Sequence, residues 1–211
     1  MTGPERAAEA AITDGRLLRG ARSRQAIARH AVDVASLEGL SGLSLGRLAA
    51  DLGLSKSGIQ TLFGTKEGLQ AAAAESALEA FADAVIRPAR AAPRGAARLR
   101  ALLEGWIAYA SEPLFPGGCF WAANLPDFDG RPGLIHDLLF RHQRDWRGLI
   151  AAELRQAAAA GEIASVDPDL AAFQIDAVLI AANTALRAGD DDAVARARRV
   201  IEGFLAAPAA Q

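Results

Sequence analysis

At 211 residues the chain is long enough to bury a substantial core, as one large domain or two modest ones. Its alanine-rich, strand-poor composition predicts an all-α protein, and a single cysteine, Cys119, excludes an internal disulfide and fits a reducing cytoplasm. No run approaches the ~18 uninterrupted apolar residues of a membrane span, and the N-terminus has no apolar core before a small-residue cleavage site, so neither a membrane nor a secretory reading is supported. The net charge of −2 argues at first against nucleic acid, but its distribution does not. Arg16, Arg19, Arg22, Arg24, Arg29, Arg47, Lys56 and Lys66 stand against Asp33, Glu38 and Asp51, which gives +5 over residues 16–66 and leaves −7 elsewhere. A basic head on an acidic body is the asymmetry of a DNA-binding domain joined to something else. The alternative is an ordinary fluctuation in surface charge.

Residues 1–21 have no clean periodicity and carry Gly3, Pro4, Gly15 and Gly20, so they are expected to form a flexible arm. Its Arg16 and Arg19, with Arg22 next to it, could lie along the minor groove, or the arm could be a tail with no role. Ser23 to Leu37 is a predicted helix with Ile27, Ala31, Val34 and Ala35 inward, and Glu38 to Gly42 is a turn. In the following helix Leu45, Leu48, Ala49 and Leu52 fall at i, i+3, i+4 and i+7, behind Ser44 as N-cap. Gly53 suits a left-handed stop. Ser55 then caps a second short helix whose Ile59, Leu62 and Phe63 share a face. Two short helices around a glycine turn make a helix-turn-helix, which puts its second helix in the DNA major groove. The outward residues of that helix, Lys56, Ser57, Gly58, Gln60 and Thr61, are small, polar or basic, as phosphates and base edges require.

Thr65 is the expected cap of the next helix, with Lys66 beside its N-terminus. Leu69, Ala73, Ala77, Ala80, Phe81, Ala84 and Val85 form its apolar track, and Arg87-Pro88 and Ala92-Pro93 end it. This helix is the natural lever between head and body. Gly95 to Ser111 is a further helix. The stretch FPGGCFWAANLPDFDGRPG reads as the most irregular part of the body. Leu134 to Ala160 is long and helical. Asp167-Pro168 opens a helix reaching about Ala188, nearly apolar all round, with Phe173, Ala177, Ile180 and Thr184 on one side. The last helix follows the Asp190-Asp191-Asp192 cap, with Val194, Ala197, Ile201, Phe204 and Leu205 as its stripe. A helix apolar nearly all round needs a second burying surface, and another copy of the chain is a candidate.

From about Ser23 to Leu69 the residues RSRQAIARHAVDVASLEG, LSLGRLAADLGLSKSGIQTLF and GTKEGL resemble the N-terminal domain of the tetracycline-repressor (TetR) family of bacterial transcription regulators. GGCF followed by an acidic-aromatic turn and RPG resembles the C-terminal halves of its members. The resemblance implies a helix-turn-helix head over residues 22–65 and a ligand-binding and dimerisation body over 66–211. It also implies a homodimer through a four-helix bundle of the last two helices, a double-stranded DNA operator, a small-molecule effector and, most simply, repression. In the recognition helix the family often carries Tyr and then His two residues on. Here Gln60 and Leu62 stand there, so those phosphate contacts do not carry over, and Gln60 could read an adenine edge instead. The expected DNA-contacting set is Arg22, Arg24, Ser44, Ser55, Lys56, Ser57, Gly58, Gln60, Thr61 and Lys66.

An enzymatic reading has little to rest on. There is no strand-borne phosphate loop, no helical zinc spacing among His30, His136 and His142, and no G-x-S-x-G elbow. Cys119 and His136 could be named nucleophile and base, but a lone apolar-sited cysteine is ordinarily a small hydrophobe. No cofactor or metal is expected. A ligand cavity is expected from Trp106, Tyr109, Phe120, Trp121, Phe128, Phe140 and Phe173, with Asn124, His136, Asp176 and Asn183 as orienting groups. Each aromatic taken singly also fits an ordinary core, and Asp176 and Asn183 also fit an exposed edge or a dimer interface. The alternative from another class is a helical small-molecule-binding or adaptor protein whose helix-turn-helix is only packing.

Overall fold

The structure, a computed structural model, describes residues 3–206, with side chains from Gly20 onward. It is all-α, and the described residues contain no strand. In chain order the helices are α1 (Gly3–Glu38), α2 (Leu45–Asp51), α3 (Lys56–Phe63), α4 (Lys66–Phe81), α5 (Ala96–Ser111), α6 (Phe120–Phe128), α7 (Leu134–Ala159), α8 (Pro168–Arg187) and α9 (Ala193–Phe204).

Local chemistry sets most of these boundaries. Ser44, Ser55 and Thr65 accept N–H bonds from Arg47, Gly58 and Gly68, satisfying donors that each helix start leaves open. Asp167 does the same for Asp169 and Leu170, with Pro168 in the first turn. Gly53 and Gly64 turn the chain at φ 64° and 70°, conformations other residues resist.

Three boundaries differ from the sequence reading. First, the helix expected from Ser23 begins at Gly3, so the backbone of the expected arm is helical. The alanines at 7, 8, 10 and 11 around Glu9, and the absence of proline between Pro4 and the end of the helix, favour helix strongly enough to absorb Gly15 and Gly20. The side chains of Arg16 and Arg19 lie outside the described residues. Second, α4 does not end at Arg87-Pro88. It continues through a π-helical turn, Ala82–Ile86, into Arg87–Ala89. Arg87 donates to Ala82 five residues back and keeps helical angles, φ −64° and ψ −44°, although it precedes proline. Burial of Val85 and Ala89 outweighs that local preference. Third, the stretch expected to be irregular contains α6, which carries Pro126 inside it.

One continuous core joins Ile27, Leu48, Ile59 and Phe63 of the first helices to Leu69, Phe81 and the residues of α5–α9. Helix α4 bridges the two parts, packing on α1 at one end and on α7 at the other. By length and composition α8 is the one helix among the described residues able to cross a membrane. Its Asp176 and Asn183 are nevertheless buried among Ile175 and Leu179, as in a core helix. The opposite face, with Phe173, Ala177 and Thr184, is exposed. Of the stripe Phe173, Ala177, Ile180 and Thr184, only Ile180 is turned partly inward, where it lines a cavity.

Candidate DNA interface and effector cavity

At the head, Lys56, Ser57, Gly58, Gln60 and Thr61 are all exposed on α3, while Ile59 and Phe63 anchor its inner face. Gly58 leaves room for the cap, since a Cβ there would stand 3.0 Å from Ser55 Oγ. The Thr61 hydroxyl donates to the Ser57 carbonyl at 2.9 Å, so its methyl is the free group. Gln60 has its amide free among the described residues. Ser44 and Ser55 spend their oxygens as caps, leaving one O–H each to donate. Lys66 Nζ holds the Ser41 carbonyl at 2.6 Å with donors to spare. Arg22 is exposed. Arg24 is exposed as well; its guanidinium lies 4.7 Å over the Phe63 ring and donates to the Leu62 carbonyl, bracing the end of α3.

In the body, a cavity of about 130 Å³ opens between α4, α5, α6, α7 and α8. Of the expected ligand residues, Trp106, Trp121 and Asp176 line it. The others lie elsewhere. Tyr109 and Phe120 are core, the Tyr109 hydroxyl accepting the Phe120 N–H at 3.0 Å. Asn183 accepts the Cys119 N–H at 3.1 Å, which fixes the start of α6. Asn124 is wholly buried and ties α6 to the head. Phe128 is core, with Arg131 over its ring at 5.7 Å. His136 pairs with Asp137 at 2.9 Å and stacks on Phe140, both off the cavity. Phe173 is 56% exposed on the outer face of α8.

The cavity's remaining wall includes Leu78, Phe81, Cys119, His142, Gln143 and Trp146. Phe81 falls in the apolar track predicted for α4, and only the fold turns it and Trp146 toward a common space. Phe81 meets Trp121 and Trp146 edge-on, at 5.2 and 5.3 Å between centroids. Burial pushes the Cys119 thiol up, away from the thiolate a nucleophile needs. Burial, aided by Arg141, pushes His142 down, so it is neutral at pH 7. Burial pushes Asp176 up, opposed by Arg147 at 3.9 Å and by the Gln143 amide at 3.2 Å. No group of three or more metal-ligating side chains occurs among the described residues.

Between head and cavity, α6 presents two faces. Trp121 and Leu125 line the cavity, while Asn124 and Asp127 reach the head. Leu40 donates its N–H to Asn124 Oδ1 at 2.6 Å, and the Asn124 amide donates to the Ala35 carbonyl at 3.2 Å. Ser41 donates to Asp127. The loop before α6 is held as well: Ser36 Oγ accepts the Gly117 N–H at 3.0 Å, and Arg29 donates to the Leu114 carbonyl at 3.0 Å.

The family profile described as Tetracyclin repressor-like, C-terminal domain, matches residues 95–201. No curated protein matched the chain in sequence. Among solved structures, a TetR-family transcriptional regulator from Chloroflexus aurantiacus superposes with a TM-score of 0.75 at 24% identity, over 90% of this chain and 99% of that one. A TetR-family regulator from Cytophaga hutchinsonii also gives 0.75, at 21% identity, over 89% and 96%. AibR, solved with isovaleryl coenzyme A and operator DNA, gives 0.68 at 17% identity, over 88% and 99%. At these identities the superpositions speak for the fold.

Proposed function

From the premise that the chain belongs to the tetracycline-repressor family of ligand-responsive, DNA-binding transcription regulators, we propose that it works as a dimeric repressor. In this reading two α3 helices read a palindromic operator, and a small molecule in the α4–α8 cavity releases them. The observation that carries it is the two-faced α6, with α4 beside it. The helix that offers Trp121 to the cavity also holds Leu40 of the head through Asn124, and α4 carries Phe81 at the cavity and Lys66 at the head. A ligand that prefers one arrangement of these helices shifts the heads with it.

The dimer surface in this proposal is the outer face of α8 and α9. Phe173, Leu170 and Val200 are 56%, 55% and 45% exposed there, flanking a shallow groove floored by Ala181, Ala185 and Ala197. A mate's two helices would cover this face and complete a four-helix bundle.

The test is a salt titration of binding to duplex DNA taken from beside the chain's own coding region, against a random duplex. Tight, salt-sensitive and selective binding is expected. A dimer that binds no duplex at any salt concentration would overturn the reading in favour of a ligand-binding or adaptor protein.

A further inference from the structure

The size, unpaired polar atoms and charge of the cavity together define its ligand more narrowly, and this step rests on the ligand-controlled reading above. At about 130 Å³ the space is close to the ~150 Å³ of an engineered apolar cavity that takes benzene, so it admits one ring with small substituents. The wall is mostly apolar, with Leu78, Phe81, Leu125, Leu149 and Ile180.

Three residues of this wall carry a buried polar atom with no hydrogen-bond partner among the described residues: Nε1 of Trp121, Nε1 of Trp146 and Nδ1 of His142. Trp121 and His142 are only 8% and 5% exposed. An indole N–H can only donate, and a buried donor left unpaired is costly, so each indole calls for an acceptor atom. A cationic ammonium centre is itself no acceptor for these N–H groups. The acidic groups at the cavity, Asp145 and Asp176, disfavour an anion. Asp176 is no free counter-ion for a cation either, since Gln143 donates to it and the Arg147 guanidinium faces it. Neutral His142 adds no charge and can accept or donate.

We propose that the effector is a neutral, single-ring-sized apolar molecule carrying an oxygen acceptor, its ring beside Phe81 and its oxygen held by the indole N–H of Trp121 or Trp146. Because Phe81 lies edge-on to both indoles, such a molecule bears on α4 and α6 at once.

The test is calorimetric titration of the full chain with probes matched in size: acetophenone (neutral, one acceptor), isopropylbenzene (no acceptor), benzoate (anion) and phenyltrimethylammonium (cation). 2-Acetonaphthone serves as the oversized control. Acetophenone is expected to bind at least tenfold more tightly than each of the others. In Trp121→Phe or Trp146→Phe, its preference over isopropylbenzene should fall at least threefold in one variant or both. Equal or tighter binding of any other probe, an unchanged preference in both variants, or no binding of any probe would overturn the proposal. Operator affinity is measured separately with each probe present. Acetophenone that binds as expected without altering operator affinity upholds the ligand class and removes the ligand-controlled reading. A cation or a two-ring ketone that binds more tightly and releases DNA does the reverse.

Discussion

Leu40 and Asn124 stand 84 residues apart in the chain, yet the backbone N–H of the first donates to the side-chain oxygen of the second at 2.6 Å, with both residues fully buried. This bond joins the turn before the helix-turn-helix to the centre of α6. Asn124→Ala would strand the Leu40 donor, at about 1–3 kcal/mol for an unpaired buried group. For a chain of this length each kcal/mol lowers Tm by about 2–4 °C. A drop of several degrees in a thermal melt is expected, together with a weaker effect of bound ligand on operator affinity. An unchanged Tm would mean that water replaces the bond.

The loop ahead of α6 is pressed against α1 still more closely. A Cβ on Gly117 would lie 1.8 Å from the Ser36 carbonyl oxygen, which is backbone and cannot swing away. Gly117→Ala should cost about 1–3 kcal/mol or more, as overpacking does. Gly148→Ala is the control. It lies within α7 with nothing inside 4 Å of the added methyl, and should stabilise by up to about 1 kcal/mol. Denaturant melts of the two variants should therefore move in opposite directions.

The contrast between these glycines marks what the sequence could and could not convey. The head was legible because its determinants are local: Ser44, Ser55 and Thr65 cap helices within three residues, and Gly53 turns at a fixed offset from Leu48. Glycine and proline hid α6, because its formation depends on distant partners. Tyr109 and Asn183 hold its first N–H groups, and Asn124 is satisfied by α1. The cavity was least legible. Helical spacing gives a residue's face but not which neighbour that face meets, so Phe140 and Phe173 were expected at the cavity where Phe81 and Trp146 stand instead. On α8 helical spacing left the buried face open, because both faces are apolar.

On α3, Lys56 carries an exposed ammonium at the helix start, whereas Gln60 presents a free amide one turn on. Lys56→Ala should weaken binding to all duplexes alike and reduce the salt slope by about 1. Gln60→Ala should instead narrow the gap between operator and random DNA, by about 1–3 kcal/mol if it reads a base. Thr61→Ala should have the smaller effect on specificity, since its hydroxyl is tied to the Ser57 carbonyl. Fluorescence anisotropy over a salt series separates the three. If none of them changes DNA binding, α3 is not the recognition helix.

At the outer face of α8 and α9, Phe173 and Val200 can be changed without touching the core of one chain. Phe173→Glu and Val200→Glu should keep the melting curve of a folded protein and give a monomer by sedimentation. Operator affinity should fall by about 10²–10⁴-fold as the second half-site contact is lost. A variant that stays dimeric would place the interface on another face.

Asp176 offers a test that depends on pH. Burial raises its pKa above the ordinary carboxylate value, with Arg147 and the Gln143 amide pulling the other way. The native state therefore holds this proton more tightly than the unfolded chain does. The stability Asp176 contributes is fully present below the ordinary value near pH 4 and is lost as pH rises through the raised one. Asp176→Asn removes that titration and keeps an oxygen for the Gln143 amide. Its Tm should exceed that of the unaltered chain at pH 7, and the difference should close as the pH approaches about 4. A variant less stable at pH 7 would show that attraction from Arg147 outweighs the burial of the charge.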